Sequence, residues 1–387
     1  MPAAPVARRS GLAFTIVVSV VMFVGACVMA LVLLMSSAPG ALVVGVVLAA
    51  GPVAPLIACF VWLDRYEPEP RSLLLLGLGW GAFVASSSAL LLQIAGEFAF
   101  EAPRTFSGAV VAPLTEEAAK GLFILLLLWF RRHELDGILD GIVYAGMVGI
   151  GFAFTENILY LSAADLGSDG QSGGVGGAIM LFVIRGVFSP FAHPLFTACT
   201  GIGIGIAVGS RKPAVRFLAP LTGFLFAVGA HAAWNGSIFL GGGEGFVLTY
   251  LFVMVPGFFL IVGFAIWTRR RESILLTEAL TDCARRGFID PAEIPWLVRL
   301  PARREARHYA EAVGGRGARS TMAEYQQQAI ELGFLHSRFL RGTAPHDFAQ
   351  RGQYFVDAMR ELRPGVVWPS TAGRHAATVG FPAGGGQ

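Results

Sequence analysis

Runs of roughly 20 apolar residues, enough to cross ~30 Å of hydrocarbon as a helix, recur about eight times along the chain. They are Leu12–Met35, Ala41–Leu63, Leu73–Ile94, Ala109–Phe130, Ile138–Leu161, Ile179–Val208, Phe217–Leu240 and Phe246–Trp267. Short polar loops separate them, and their charge alternates. Arg8–Arg9, Asp64–Arg71, Arg131–Arg132, Arg211–Arg216 and Arg269–Arg271 fall on one side, whereas the intervening loops hold only Arg104. By the positive-inside rule both termini are expected in the cytoplasm. The sixth run is over-long and carries Arg185 near its start, so it is expected to tilt or to begin as an interfacial helix. The N-terminal run is longer than a signal-peptide core and shows no clear cleavage site, which favours a retained first span over a cleaved signal.

After Trp267 the pattern changes to mixed polar sequence, with candidate helices around Ile274–Arg286, Arg303–Val313 and Met322–Arg341 and a Pro/Gly-rich end from about Pro364. The expected fold is therefore all-α: a polytopic transmembrane helical bundle of about eight spans with a cytosolic, mostly helical C-terminal tail. Its expected divisions are an N-terminal flank and first span (1–40), a membrane-embedded core (41–268) and the tail (269–387), with a frayed C-terminus and a flexible outer loop at Gly167–Gly177.

Composition agrees and removes other classes. With 55% hydrophobic and 14% charged residues and a mean hydropathy of +0.63, a water-soluble globule could not hide its apolar surface. The net charge is only +3, and the arginines flank apolar runs or lie in the tail. No nucleic-acid partner is expected; the lipid bilayer is, and a cytosolic partner for the tail stays open. Cys27, Cys59, Cys199 and Cys283 form no CxxC pair, so they read as packing residues. "GIGIGIAVG" (Gly201–Gly209) lies inside a span with no strand before it, which points to close helix packing rather than a nucleotide loop.

The chemistry lies in the polar residues inside the spans. Each charge at a helix centre costs about 2.5–3.5 kcal/mol on insertion scales, yet span four carries Glu116, Glu117 and Lys120. Lys120 is one of two lysines in the chain, the other being Lys212 in a loop, and stands where arginine is otherwise used. At ~1.5 Å per residue, Glu116 and Glu117 lie roughly 10–12 Å from the outer end of span four and Glu156 about 8 Å from that of span five. His231 lies about 14 Å and His193 about 12 Å in by the same rise, so four helices bring ionisable groups to one depth. Asn235 is one turn from His231, while Asp140 and Arg185 sit near span ends in structural or interfacial positions. Two histidines with carboxylates are the ligand types of a catalytic zinc site, where an ion polarises a carbonyl and acidifies a water while a spare glutamate serves as base. Asn235 could hold an oxyanion or complete the metal shell. The same residues would also suit a proton or cation pathway, and the residues alone leave both readings open.

Taken in order, "DRYEPEP" (Asp64–Pro70), "PLTEEAAK" with its EExxK pattern, "DGIVYAGMVGIGFAFTENILY" (Asp140–Tyr160) with FxxxEN, "AHPLFTA" (Ala192–Ala198) and "HAAWN" (His231–Asn235) resemble the PrsW family of intramembrane metalloproteases. That family is related to the CAAX-prenyl-protease and bacteriocin-processing membrane enzymes. The resemblance runs from about residue 55 to 265 and leaves the first span and the tail uncovered. It implies Glu116 and Glu117 as an essential pair, one of them the general base, with Glu116 favoured. It places Glu156, His193 and His231 around Zn2+ or another divalent metal, Asn235 beside them, and Lys120 as the residue that keeps a glutamate charged. The "DRYEPEP" loop falls far from this site and reads as structural. The expected activity is metal-dependent cleavage of a membrane-protein or peptide substrate near the outer face of the cell membrane, with anti-sigma-factor-type signalling as the context the family suggests. The rival classes are a proton- or cation-coupled transporter and a catalytically silent scaffold. No HExxH or GxGD pattern and no GxSx serine within a span supports another protease chemistry, since His133–Glu134 is followed by Leu135–Asp136–Gly137.

Overall fold

The computed structural model describes residues 5–100, 103–167 and 173–369, so the expected frayed end beyond 369 and much of the 167–177 loop lie outside the described residues. All regular structure among the described residues is helical. The chain forms two compact units: 1–64 with 68–266, and 65–67 with 267–387.

The first unit is built from α1 (Pro5–Ser36), α2 (Pro39–Ala50), α3 (Val53–Leu63), α4 (Arg71–Gly79), α5 (Ser86–Phe100), α6 (Arg104–Phe106), α7 (Ala112–Phe130), α8 (Ile138–Leu166), α9 (Val175–Phe182), α10 (Ala192–Val208), α11 (Pro213–Thr249) and the first half of α12 (Val255–Arg285). Single π-helical stretches join α4 to α5, α6 to α7, α9 to α10 and α11 to α12. Among the described residues, seven helical stretches are long and apolar enough to cross a membrane. The helix missing from that set is α7, which is 19 residues long and contains Glu116, Glu117 and Lys120. It falls short by charge, not length, and the protein is a multi-pass membrane protein.

The hydropathy pattern explains the arrangement. Among the spans α8 is the central one, with 89% of its most apolar window buried. The outer faces of the others present Phe23, Leu34, Phe217, Phe252 and Leu260 without cover, as a lipid-facing surface requires. Lipid is as apolar as leucine, so close packing rather than the hydrophobic effect must draw helices together. The glycine repeat supplies that packing: a Cβ on Gly201 would come within 2.1 Å of the Gly141 carbonyl oxygen, and one on Gly141 equally close to that of Gly201. α8 and α10 therefore touch backbone to backbone. Span seven turns back at Gly242, whose φ of 56° only glycine adopts easily.

Two breaks position the site. Pro190 and Pro194 lack the N–H groups that would bond residues four back, so span six opens at Ser189–Phe191 and restarts as α10 with His193 in its first turn. Ahead of α7 the π stretch Ser107–Val111 sends the Ala112 N–H to the Ser107 carbonyl. The matching π-type donor for Gly108 would be residue 113, which is proline, leaving the Gly108 carbonyl without a helical partner.

The second unit holds α13 (Ile294–Val298), α14 (Leu300–Leu340) and α15 (Phe348–Leu362) with α12 from Trp267. Gly315, at φ 73°, folds α14 into a hairpin. Leu276, Leu280, Tyr325, Ile330, Leu335 and Met359 form its core. Tyr66 packs against that core, and its carbonyl accepts a hydrogen bond from Arg303 at 3.0 Å.

Candidate metal centre

Glu116, Glu117 and Lys120 lie on the buried face of α7, and Glu117 and Lys120 are wholly inaccessible. Lys120 Nζ donates to Glu117 Oε1 at 2.8 Å and lies 3.5 Å from Glu116 Oε2. It also approaches His193 Nδ1 at 3.0 Å and sits 3.7 Å from the centre of the Phe152 ring. An ammonium donates only, so His193 Nδ1 must accept and its proton resides on Nε2. That Nε2 donates to Glu156 Oε2 at 2.6 Å. Glu156 is also paired with Arg185, whose Nε donates to Asn157 Oδ1 at 2.7 Å.

His231 faces the same centre from α11. Its Nδ1 donates to Glu117 Oε1 at 3.0 Å, which leaves the Nε2 lone pair directed toward Glu116 Oε2, 3.7 Å away. Thr197, one turn beyond His193, donates to Glu117 Oε2 at 3.0 Å. Both oxygens of Glu117 are thus engaged. Glu116 differs: Oε1 accepts a long bond from Gln93 at 3.4 Å, and the buried Oε2 accepts none.

The donor set fits a divalent cation. Glu116, His193 and His231 each offer a ligand atom, and those atoms lie within 4.8 Å of one another. If all three carboxylates (Glu116, Glu117, Glu156) are ionised, Lys120 and Arg185 balance two of them, and a bound cation or a proton would compensate the third beside the oxygen that has no hydrogen bond. Glu156 lies at the edge of this trio, joined to it through His193.

All six ionisable residues singled out in the sequence therefore meet in one network. Asn235 lies beside it, and its amide Nδ2 donates to the otherwise unpartnered Gly108 carbonyl at 3.0 Å, pinning span seven to the break before α7. Sequence reasoning missed Gln93 and Thr197 and gave Arg185 only a structural or interfacial place. It also had no role for the phenylalanine of FxxxEN, which is Phe152 and lies under Lys120. The 193/197 spacing was the available signal for Thr197, because residues four apart share a helix face.

A sequence profile described as "PrsW family intramembrane metalloprotease" matches residues 69–261, which contain every one of these side chains. The chain is similar to Protease PrsW of Geobacillus kaustophilus, with 30% identity over 40% of this chain and 63% of the relative. It is also similar to Protease PrsW of Clostridioides difficile, at 29% over 38% and 61%, and of Oceanobacillus iheyensis, at 30% over 43% and 69%. The chain thus spans a little over three fifths of the first two relatives' length. No solved structure matches. Profile and relatives converge on one assignment: the chain belongs to the PrsW family of intramembrane metalloproteases.

Proposed function

We propose that the protein is a membrane-embedded, metal-dependent endopeptidase that cuts a membrane-protein substrate near the outer face of the cell membrane, with both its own termini in the cytoplasm. The observation that carries this reading is the buried grouping of Glu116, whose Oε2 accepts no hydrogen bond, with two histidines whose ligand atoms lie within 4.8 Å. His231 would hold the ion through its free Nε2 and His193 through Nε2 on loss of the proton it now shares with Glu156, with Glu156 completing the set. Bound there, a divalent cation such as Zn2+ would polarise the scissile carbonyl and acidify a nearby water.

The chain's own groups divide the remaining work. Glu116 has a free lone pair and takes the proton of the attacking water, then returns it to the departing amine. Glu156 Oε2 is already engaged by Arg185 and His193, so it is not placed to receive the water's proton. Glu117 has no spare oxygen; it anchors Lys120 and fixes the His231 tautomer, as carboxylates behind metal-binding histidines do. Lys120 in turn orients His193, and Asn235 holds the two spans together. A second reading, favoured by the 4.8 Å grouping, makes Glu116 itself the third ligand.

Metal content and cleavage of single-span membrane proteins test both. Wild type is expected to hold metal and cut, and chelation to stop cleavage; His193→Ala and His231→Ala are expected to lose both. Glu156→Gln should lose the ion and Glu116→Gln keep it, and the reverse outcome selects the second reading. Cleavage that survives complete chelation would refute the metal requirement, and ion flux through vesicles without any cleavage would support a transporter instead. Release of an anti-sigma factor is one signalling outcome to assay among the substrates.

A further inference from the structure

Away from the metal centre, the second unit buries an arginine whose donors are not all used. Arg303, near the start of α14, is 4% exposed. Its Nε donates to the Leu297 carbonyl and its Nη1 to that of Tyr66 at 3.0 Å, whereas its Nη2 has no hydrogen-bond partner. Leu297 precedes α14, so the guanidinium lies beside the N-terminal end of its own helix. That end is open: no side chain caps it, and the N–H groups of Leu300 and Ala302 lie in the first turn, where a helix supplies no acceptor.

The surroundings are rich in positive charge. Two guanidinium carbons lie close to the Tyr66 ring centre, that of Arg269 at 5.3 Å and that of Arg303 at 5.8 Å. Arg65 and Glu272 act on Arg269 through their charges, and Arg307 and Glu67 on Arg303. Arginines thus outnumber carboxylates around Tyr66. Burial, reinforced by Arg307, pushes the Arg303 guanidinium down to about 10, the response of a cation short of counter-charge. Arg65 follows the apolar run that ends at Leu63, and Arg269 the run that ends at Trp267, so both stand where a chain leaves hydrocarbon for the headgroup layer. All of these residues lie outside the stretch 69–261 that carries the metal centre.

We propose that this corner of the second unit binds a phosphate group, that of an anionic phospholipid headgroup. Arg303 Nη2 and the first-turn N–H groups of α14 donate to its oxygens, and Arg269 and Arg65 supply charge beside it. The chain's own carboxylates do not fill this role, because Glu67 and Glu272 are in place and Nη2 still has no acceptor. A zwitterionic headgroup brings an ammonium that the arginines repel, which selects an anionic lipid over phosphatidylcholine.

The test follows thermal unfolding of the purified full chain in detergent while dihexanoyl phosphatidylglycerol, dihexanoyl phosphatidylcholine or inorganic phosphate is titrated. Phosphatidylglycerol is expected to raise the unfolding midpoint saturably and phosphatidylcholine to leave it unchanged. Arg65→Gln/Arg269→Gln should weaken the half-saturating concentration by about tenfold or more. Arg270→Gln/Arg271→Gln removes the same charge from exposed positions, Arg271 packing on Trp267 instead, and should leave it nearly unchanged. Arg303→Lys keeps the charge without the fork and should weaken binding as well; the two double variants decide the matter without it should it fail to fold. Equal response to both lipids, or equal weakening by both double variants, would overturn the proposal and reduce the arginines to a diffuse surface charge. A shift by inorganic phosphate as large as that by phosphatidylglycerol at the same concentration would overturn the lipid headgroup as the source and leave a soluble phosphate in its place.

Discussion

Glu116 and Glu117 are neighbours of the same type, yet their surroundings call for opposite responses to the same substitution. In Glu116→Gln the side chain keeps an acceptor for Gln93 and loses a charge whose Oε2 had no hydrogen bond, only ion-pair contacts of 3.5 and 3.7 Å. Lys120 retains Glu117 at 2.8 Å. The expected stability change is therefore small, on the order of 1 kcal/mol. In Glu117→Gln the buried ammonium of Lys120 loses its close counter-ion, and a neutral amide must replace an anion that accepted bonds from Lys120, Thr197 and His231. Breaking such a buried pair costs about 3–5 kcal/mol. Activity should rank the other way for cause: Glu116→Gln loses the proton carrier in a folded protein, about 10²–10⁴ in rate, whereas Glu117→Gln loses cleavage together with structure. Purified variants in detergent would be compared by thermal unfolding, bound metal and single-turnover cleavage of one transmembrane substrate. Cleavage by Glu116→Gln within tenfold of wild type would remove it as the base. Equal unfolding of the two variants would show that the hydrogen-bond asymmetry has no energetic weight.

Asn235→Ala and Asn235→Asp should both destabilise the protein, by about 1–3 kcal/mol, because neither offers an N–H to the Gly108 carbonyl; lost cleavage with unchanged unfolding would instead give Asn235 a direct part in chemistry. Phe152→Leu should cost about 1–2 kcal/mol by removing the ring beneath the Lys120 ammonium, and unchanged thermal unfolding would refute that contribution. Burial pushes the Asp64 carboxyl up to about 8, against the lowering effect of the Glu69 N–H it accepts and with some help from Asp140. Between its ordinary range near 4 and about 8, the unfolded chain ionises this group while the folded one keeps the proton, so stability should fall as pH rises through that window. Asp64→Asn should flatten that slope in unfolding midpoints measured from pH 5 to 9, and an identical slope would sink the assignment.

Much of the site was legible because helix geometry converts sequence spacing into depth. Counting residues from span ends brings Glu116, Glu117, Glu156, His193 and His231 to one level, and in the structure they touch directly or through Lys120. The presence of lysine at 120 also had a readable cause. Four groups crowd a compact ammonium there: two carboxylates, a histidine nitrogen and an aromatic face. A planar guanidinium could not meet all four from that position. Contacts that depend on broken helices were not legible. The Asn235 to Gly108 bond exists because a π turn and a proline coincide before α7, and periodicity carries no sign of that. Arg185 sits in the π-helical stretch Val183–Phe188, far from Glu156 along the chain, and periodicity carries no sign of its pairing with Glu156 and Asn157.

The hydropathy criterion that admits the other spans excludes α7, and the reason for the exclusion is also what makes the site. A membrane interior tolerates charge only where each charge has a partner. Glu117 has Lys120 and Glu156 has Arg185, two pairs each balanced in charge. Glu116 is the surplus, placed where Lys120 and His231 approach it only at 3.5 and 3.7 Å and where no hydrogen bond reaches its Oε2. A purely structural cluster would gain by replacing that glutamate with a neutral residue, because an unmatched buried anion is among the most costly groups a protein can hold. Its presence makes sense when a cation or a proton in transit compensates it, and the two histidine rings beside it are the groups that would hold the cation. The same charge that makes span four a poor membrane helix therefore makes it the helix on which the chemistry depends.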